Sequence, residues 1–276
     1  MQSLSLTEIL LREWNTDHVA DDVTAKLLGR EGETPAMATV TSRETGVFAG
    51  HEWIQAHRSL CQDVTFEALI PNGTPLTPGS IIAQMRGPFG KLLSLERTLL
   101  NGLSHWCGIA TQTREFVDAV SAKTKILATR KTLPGLREFQ LAAVVAGGGH
   151  IHRRSLSDGI LIKDNHLALL SEEELILRAK QMRSPLHRIE IEVQSLQSLE
   201  RALKAEPDVI MLDNLSVEEM TQAIATIGGR CEVEISGGVR RETIRALSDL
   251  GVNYISIGRL THSVKALDLT LDIKKA

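Results

Sequence analysis

Between Thr124 and Gly258, short apolar and β-branched runs alternate with amphipathic stretches of helical length. The runs Lys125–Ala128, Gly159–Ile162, Ile189–Val193, Val209–Leu212, Glu232–Ile235 and Tyr254–Ile257 predict strands. They are short and mostly apolar, as parallel strands covered on both faces are, and the periodic stretches between them predict crossover helices. Helix punctuation agrees: Ser216 with Glu219 forms a capping box, Gly228 and Gly229 stop that helix, and Gly251 stops the next. Upstream, Leu95, Leu99, Leu103 and Trp106 recur at spacings of three and four, predicting a helix with one apolar stripe from which Arg97 is excluded. The first ninety or so residues differ, with Pro71, Asn72, Gly73, Pro75, Pro78 and Gly79 interrupting short strands, so a smaller α+β domain is expected there.

At 276 residues the chain can bury a large core. A formal charge of -3 and an aromatic content of 3% supply neither the basic field nor the stacking platforms of a nucleic-acid binder. Cys61, Cys107 and Cys231 are far apart and form no CxxC pair, which points away from disulfides and structural zinc and toward a reducing cytoplasm. Residues 1–14 include Glu8 and lack a basic leader, and no apolar run has the roughly 18 residues of a membrane span. The expectation is a soluble, unprocessed cytoplasmic protein acting on a small molecule, without nucleic acid or membrane.

Polar residues concentrate where the predicted strands end, the edge at which βα barrels build their chemistry. Ser236-Gly237-Gly238 and Gly258 follow the last two strands and suggest a phosphate held by backbone N–H groups, although a glycine pair alone can simply make a tight turn. Glu192 and Asp213, on neighbouring strands, could hold Mg²⁺ between phosphate oxygens or face positive charge developing on a sugar carbon; each could instead cap a helix. Arg130, Lys131, His152, Arg153 and Lys163 form a cationic excess on the first two βα segments of a negatively charged chain, which implies a multiply charged anion. For His152 a structural role in its loop competes with ligand binding. Gly147-Gly148-Gly149 begins that loop and suits close approach of backbone or ligand. The other histidines, His51, His57, His105 and His187 among them, show no metal-ligand spacing.

Taken together, the segments Glu96-Arg97-Thr98-Leu99-Leu100-Asn101, Cys107-Gly108-Ile109-Ala110-Thr111, Thr129 through Arg137, His152-Arg153 after the glycines, Leu161 through His166, Glu190 through Val193, Met211 through Asn214, Ser236-Gly237-Gly238 and Gly258 through Ser263 resemble the quinolinate phosphoribosyltransferase family. Its members are also called carboxylating nicotinate-nucleotide pyrophosphorylases. The resemblance implies an α/β fold: an incomplete parallel α/β barrel over residues 108–265 with an N-terminal α+β sandwich-like domain over residues 1–107, joined by a C-terminal tail at 266–276. It implies a pentosyltransferase of NAD biosynthesis that joins quinolinate to phosphoribosyl pyrophosphate with loss of CO₂, using Mg²⁺ and no organic cofactor. It further implies a homodimer, or an assembly of dimers, in which Arg97 crosses into the partner's site. By the same resemblance Arg130, His152, Arg153 and Lys163 bind the two carboxylates, and Lys131 contacts the ribosyl pyrophosphate. Glu192 and Asp213 serve the ribose and its Mg²⁺, and Ser236, Gly237, Gly238 and Gly258 hold the 5-phosphate.

The chain departs from the family's usual pattern at Cys107, Ala128, Leu141, Ala142, Ile151, Ser155, Gln194, Ile235 and Arg259. The anion-binding set is untouched, whereas the ring pocket could differ, so a paralogue acting on another acidic heterocycle is an alternative. Two other classes share parts of this pattern. An aldolase using Lys131 or Lys163 as a Schiff-base lysine would be trapped by borohydride and indifferent to Mg²⁺. A non-catalytic descendant would bind a phosphorylated metabolite without turnover.

Overall fold

The structure, a computed structural model, describes residues 5–276. Along the chain, helix α1 (Leu6–Thr16) precedes strand β1 (Pro35–Ser42), helix α2 (His51–Leu60), strands β2 (Thr65–Ala68) and β3 (Ile81–Pro88), and the long helix α3 (Phe89–Val117). There follow β4 (Lys125–Ala128), α4 (Arg137–Ala146), β5 (His150–Ile151), β6 (Ile160–Ile162), α5 (Glu172–Met182), β7 (Ile189–Val193) and α6 (Leu196–Lys204). The chain continues through β8 (Val209–Asp213), α7 (Val217–Ile227), β9 (Glu232–Ser236), α8 (Ile244–Asp249), β10 (Tyr254–Ile257) and β11 (Leu269–Lys275). Two compact units result: one takes the chain up to Arg114 with residues 133–148 and the stretch from Ser263, and the other takes residues 115–132 and 149–262.

The first unit is built on a four-stranded antiparallel sheet in the order β11-β1-β3-β2. Strand β1 alternates, burying Ala36, Ala38, Val40 and Ser42 on one face, and it is central in the sheet: Val40 lies opposite Leu271 on one side and Ala38 opposite Met85 on the other. That alternation needs a cover. Helices α1 and α2 pack together, with α2 against β2. The predicted stripe on α3 is buried in full, through Leu95, Leu99, Leu103 and Trp106, whereas Arg97 beside it keeps 66% of its side chain exposed. Each such leucine contributes about 1.5–3 kcal/mol by leaving water.

The second unit is a curled sheet of seven parallel strands in the order β5-β4-β10-β9-β8-β7-β6. Its edge strands, β5 and β6, are consecutive in the chain and are not neighbours in the ladder, so the barrel is incomplete. Every predicted strand is present, to within a residue at its ends. Strand β5 went unpredicted because two residues after a run of glycines carry no period; it exists through pairing with β4. Caps act as the sequence predicts on α7, where Glu219 N donates to Ser216 Oγ at 3.2 Å and Ser216 N donates to Glu219 Oε2 at 2.8 Å.

The strands are covered on both faces as expected, and the acids within them are covered too: Glu190, Glu192 and Glu234 are buried at 6%, 6% and 1% exposure. Helices pack on the outer face, and the inner face of the half-barrel carries these acids among apolar residues such as Val209 and Met211.

Candidate active site

Parallel register decides which strand-end residues meet. Asp213 lies beside Ser236 across β8 and β9, and Met211 separates Glu192 on one side from Glu234 on the other. Because β-strand side chains alternate, Glu190 and Glu192 share one face of β7, as Glu232, Glu234 and Ser236 share one face of β9.

At the rim, Asn214 takes φ +56° and donates from its side-chain amide to Asp213 Oδ2 at 2.8 Å. Its backbone N–H donates to Ser236 O at 3.1 Å, tying the two strand ends together. Gly237 is obligatory here: at φ +90°, a Cβ would stand 2.1 Å from Asn214 Oδ1. Gly238, at φ +58°, has open space around it. A Cβ on Gly258 would lie 3.0 Å from Lys131 Cδ, so the lysine stem runs against the last strand's end. Thr261 Oγ1 donates to Lys131 O at 2.7 Å and fastens the loop after β4 to the loop after β10. The structure thus brings Lys131, Gly258, Ser236, Gly237 and Asp213 to one rim of one unit.

Lys163 is aimed by its own loop. Its backbone N–H donates to His166 Nδ1 at 2.9 Å within the turn Asp164–Leu167, and its ammonium hydrogen-bonds Glu192 Oε2. Gln194 donates to the other Glu192 oxygen at 3.2 Å. Burial pushes the Arg153 guanidinium pKa below its ordinary value, and the like charge of Arg130 pushes it further. Arg130 Nε is itself buried without a hydrogen-bond partner. Two guanidinium groups held in one another's field are an unfavourable arrangement that an anion between them would relieve.

His152 points into the half-barrel, where Nε2 lies 2.6 Å from Glu190 Oε2 and 3.4 Å from Glu234 Oε2. Burial, and then the negative charge of Glu190, push the Glu234 pKa well above the carboxylate range. These residues line a cavity of about 310 Å³ together with Arg153, Arg188 and Tyr254. Glu190 and Glu234 were missed from sequence, although a signal existed: alternate acids in Glu190-Ile191-Glu192 and Glu232-Val233-Glu234 fall within strands too apolar to expose them. Arg97 belongs to the other unit, on α3, 3.6 Å from its neighbour Glu96. There it lines a cavity of about 400 Å³ with Thr98, Asn101, His105, Trp53 and Trp106.

Residues 22–107 match the family described as quinolinate phosphoribosyl transferase, N-terminal domain, and residues 109–272 match the corresponding C-terminal domain. The chain belongs to the quinolinate phosphoribosyltransferase family. A probable nicotinate-nucleotide pyrophosphorylase [carboxylating] of Bacillus subtilis is 38% identical over 99% of this chain and 95% of its own. The nicotinate-nucleotide pyrophosphorylase [carboxylating] of Mycobacterium leprae is 40% identical over 88% and 89%. Among solved structures, a NadC deletion mutant superposes with a TM-score of 0.90 at 36% identity over 100% of both chains, and the nicotinate-nucleotide pyrophosphorylase of Francisella tularensis with 0.90 at 32% over 98% and 96%.

Within this family member, the departures noted above lie in different surroundings, Ala142 being exposed. Ala128, Leu141 and Ile235 are buried hydrophobic positions, and so is Cys107, whose thiol takes a hydroxyl-like place by donating to Ala49 O at 3.3 Å. Burial pushes that thiol up to about 12, so it stays protonated. Gln194 and Ser155 are tied to neighbouring carboxylates, Ser155 to Asp158 at 2.9 Å, while Ile151 lines the interior cavity and Arg259 is exposed.

Proposed function

We propose that the half-barrel transfers phosphoribosyl from phosphoribosyl pyrophosphate to quinolinate, with decarboxylation, giving nicotinate mononucleotide, pyrophosphate and CO₂. The buried Arg130 Nε, which has no hydrogen-bond partner, and the Arg153 guanidinium lining the interior cavity carry the proposal, because a multiply charged anion such as a dicarboxylate would satisfy both. His152 and Lys163 complete the acid-binding set. Lys131, alongside Gly258, takes the ribosyl pyrophosphate, and the backbone of Gly237 and Gly238 with Ser236 takes the 5-phosphate.

The chemistry follows from charge. Two polyanions must meet, and fixed cations offset their repulsion while orienting the ring nitrogen toward the anomeric carbon. As the bond from that carbon to pyrophosphate breaks, the sugar becomes oxocarbenium-like, and Glu192 and Asp213 at the rim face the positive charge. Bond formation by the ring nitrogen makes a pyridinium; its positive charge stabilises the electrons left when the 2-carboxylate departs as CO₂, and a proton then replaces it. Asp213 offers hard oxygen donors at the rim, while the two oxygens of Glu192 on the adjacent strand take the Lys163 ammonium and the Gln194 amide, and so sparse a set fits Mg²⁺ held chiefly by substrate phosphates. Held there, Mg²⁺ would offset the charge of the leaving pyrophosphate. The protein acts as a homodimer in the cytoplasm, with Arg97 of each copy serving the other's site. Among the described residues no helix is long and apolar enough to cross a membrane.

Incubation with Mg²⁺, phosphoribosyl pyrophosphate and quinolinate should yield nicotinate mononucleotide and CO₂, with Lys131→Ala as control. Product that is lost in the variant supports the assignment. No product and no phosphoribosyl pyrophosphate binding would sink it.

A further inference from the structure

The inner wall of the half-barrel carries carboxyl groups that the reaction does not use. Glu190 and Glu234 come from β7 and β9, which β8 separates, and both point inward at 6% and 1% exposure. Their Oε2 atoms converge on one group, His152 Nε2, at 2.6 and 3.4 Å. The imidazole reaches them from the segment just after the edge strand β5, and its own backbone N–H is tied to Ala128 O at 3.2 Å. One ring is therefore held from both sides of the sheet opening. The second oxygen of each carboxyl, Oε1, is buried as well, and Ser256 and Glu190 bear on Glu234 beside His152, so the cluster is closed to bulk water. Arg153 follows directly in the chain, donates to Gly159 O at 3.4 Å and lines the same cavity as His152.

We propose that Glu234, together with Glu190, is a positioning residue: the two carboxyl groups hold the His152 imidazole across the half-barrel interior and so shape the pocket that receives the acceptor's carboxylate. This rests on the acid-binding role given above to His152 and Arg153. Structure alone would not need charged groups at these positions, since a buried polar cluster replaced by apolar side chains of similar volume often costs nothing in stability. The cluster also has a geometry that could hold a metal ion. A cation is the poorer occupant, because the charges of Arg153 and Lys163 already reach these carboxyl groups and His152 Nε2 is engaged by Glu190.

The test compares wild-type protein with Glu234→Leu and Glu234→Gln, by calorimetric binding of quinolinate and of phosphoribosyl pyrophosphate and by KM for each. The leucine variant should bind quinolinate roughly 30-fold more weakly, because the imidazole loses one of the two carboxyl groups that fix it, with phosphoribosyl pyrophosphate affinity unchanged. The glutamine variant, which keeps shape and hydrogen bonding, should recover most of the affinity. Equal quinolinate affinity in the leucine variant, an equal loss for both substrates, or stoichiometric zinc or manganese retained through dialysis would each overturn the proposal. Should the leucine variant fail to fold, Glu234→Asp serves, with a smaller selective loss expected and an unchanged affinity overturning. Quinolinate that binds wild type without being converted would count against the transfer reaction, and the binding comparison would still decide the role of the carboxyl pair.

Discussion

His57 and His152 are both withdrawn from water, and their interiors are opposite in kind. His57, with no exposed surface, sits among Trp14, Trp53 and Phe66 at ring separations of 5.7, 5.3 and 6.1 Å. Its Nδ1–H donates to Trp53 O at 2.9 Å, and burial lowers its pKa to about 4. His152 keeps 14% of its side chain accessible and meets two carboxyl groups instead of rings. The first is a neutral core side chain with a polar tip satisfied by backbone; the second is one member of a set of ionisable groups lining a cavity. Burial by itself decides neither role. The partners do, and partners are supplied by elements far apart in sequence.

The contrast breaks most visibly in activity. His152→Ala should lower kcat/KM by about 10²- to 10³-fold, as expected for losing a substrate contact together with an aligned neighbour, and should also lower Tm because Glu190 loses its buried partner. A melting point that falls while kcat/KM holds would make His152 a core histidine like His57. Next in size, His57→Ala should cost about 3 kcal/mol in urea unfolding by leaving a cavity among the rings, with unchanged turnover per folded molecule.

The comparison sharpens with pH. Because folding holds His57 near 4 while the unfolded side chain titrates near 6.5, the unfolded state binds more protons between those values. Stability is therefore full above pH 6.5 and falls as pH drops toward 4, by up to about 3 kcal/mol, and this component should vanish in His57→Ala. The smallest effect calibrates the rest: Ser216→Ala, which removes the α7 cap, should cost about 1 kcal/mol and leave kcat/KM unchanged.

Much of the second unit was legible in the chain because its signals are local. Apolar runs located β4 and β6 through β10, Ser216 and Glu219 marked the start of α7, and the strand-end rule picked out Lys131, Lys163, Glu192, Asp213 and the glycines now seen around one rim. Strand β5 escaped because its two residues owe their conformation to a neighbour. Glu190 and Glu234 escaped for a related reason: an acid within an apolar run declares a need for a partner without naming it.

What the sequence by itself determined is the element order, the capped helices, the apolar stripe of α3 and the stock of cations from which an anion site is assembled. Periodicity, capping and composition are properties of residues close in the chain, so they survive without a fold. Tertiary structure alone decided that β11 returns to pair with β1, that the barrel stays open between β5 and β6, and that one histidine meets tryptophans and another meets glutamates. Those outcomes depend on register and on distances between residues tens of positions apart, which only the packed chain sets.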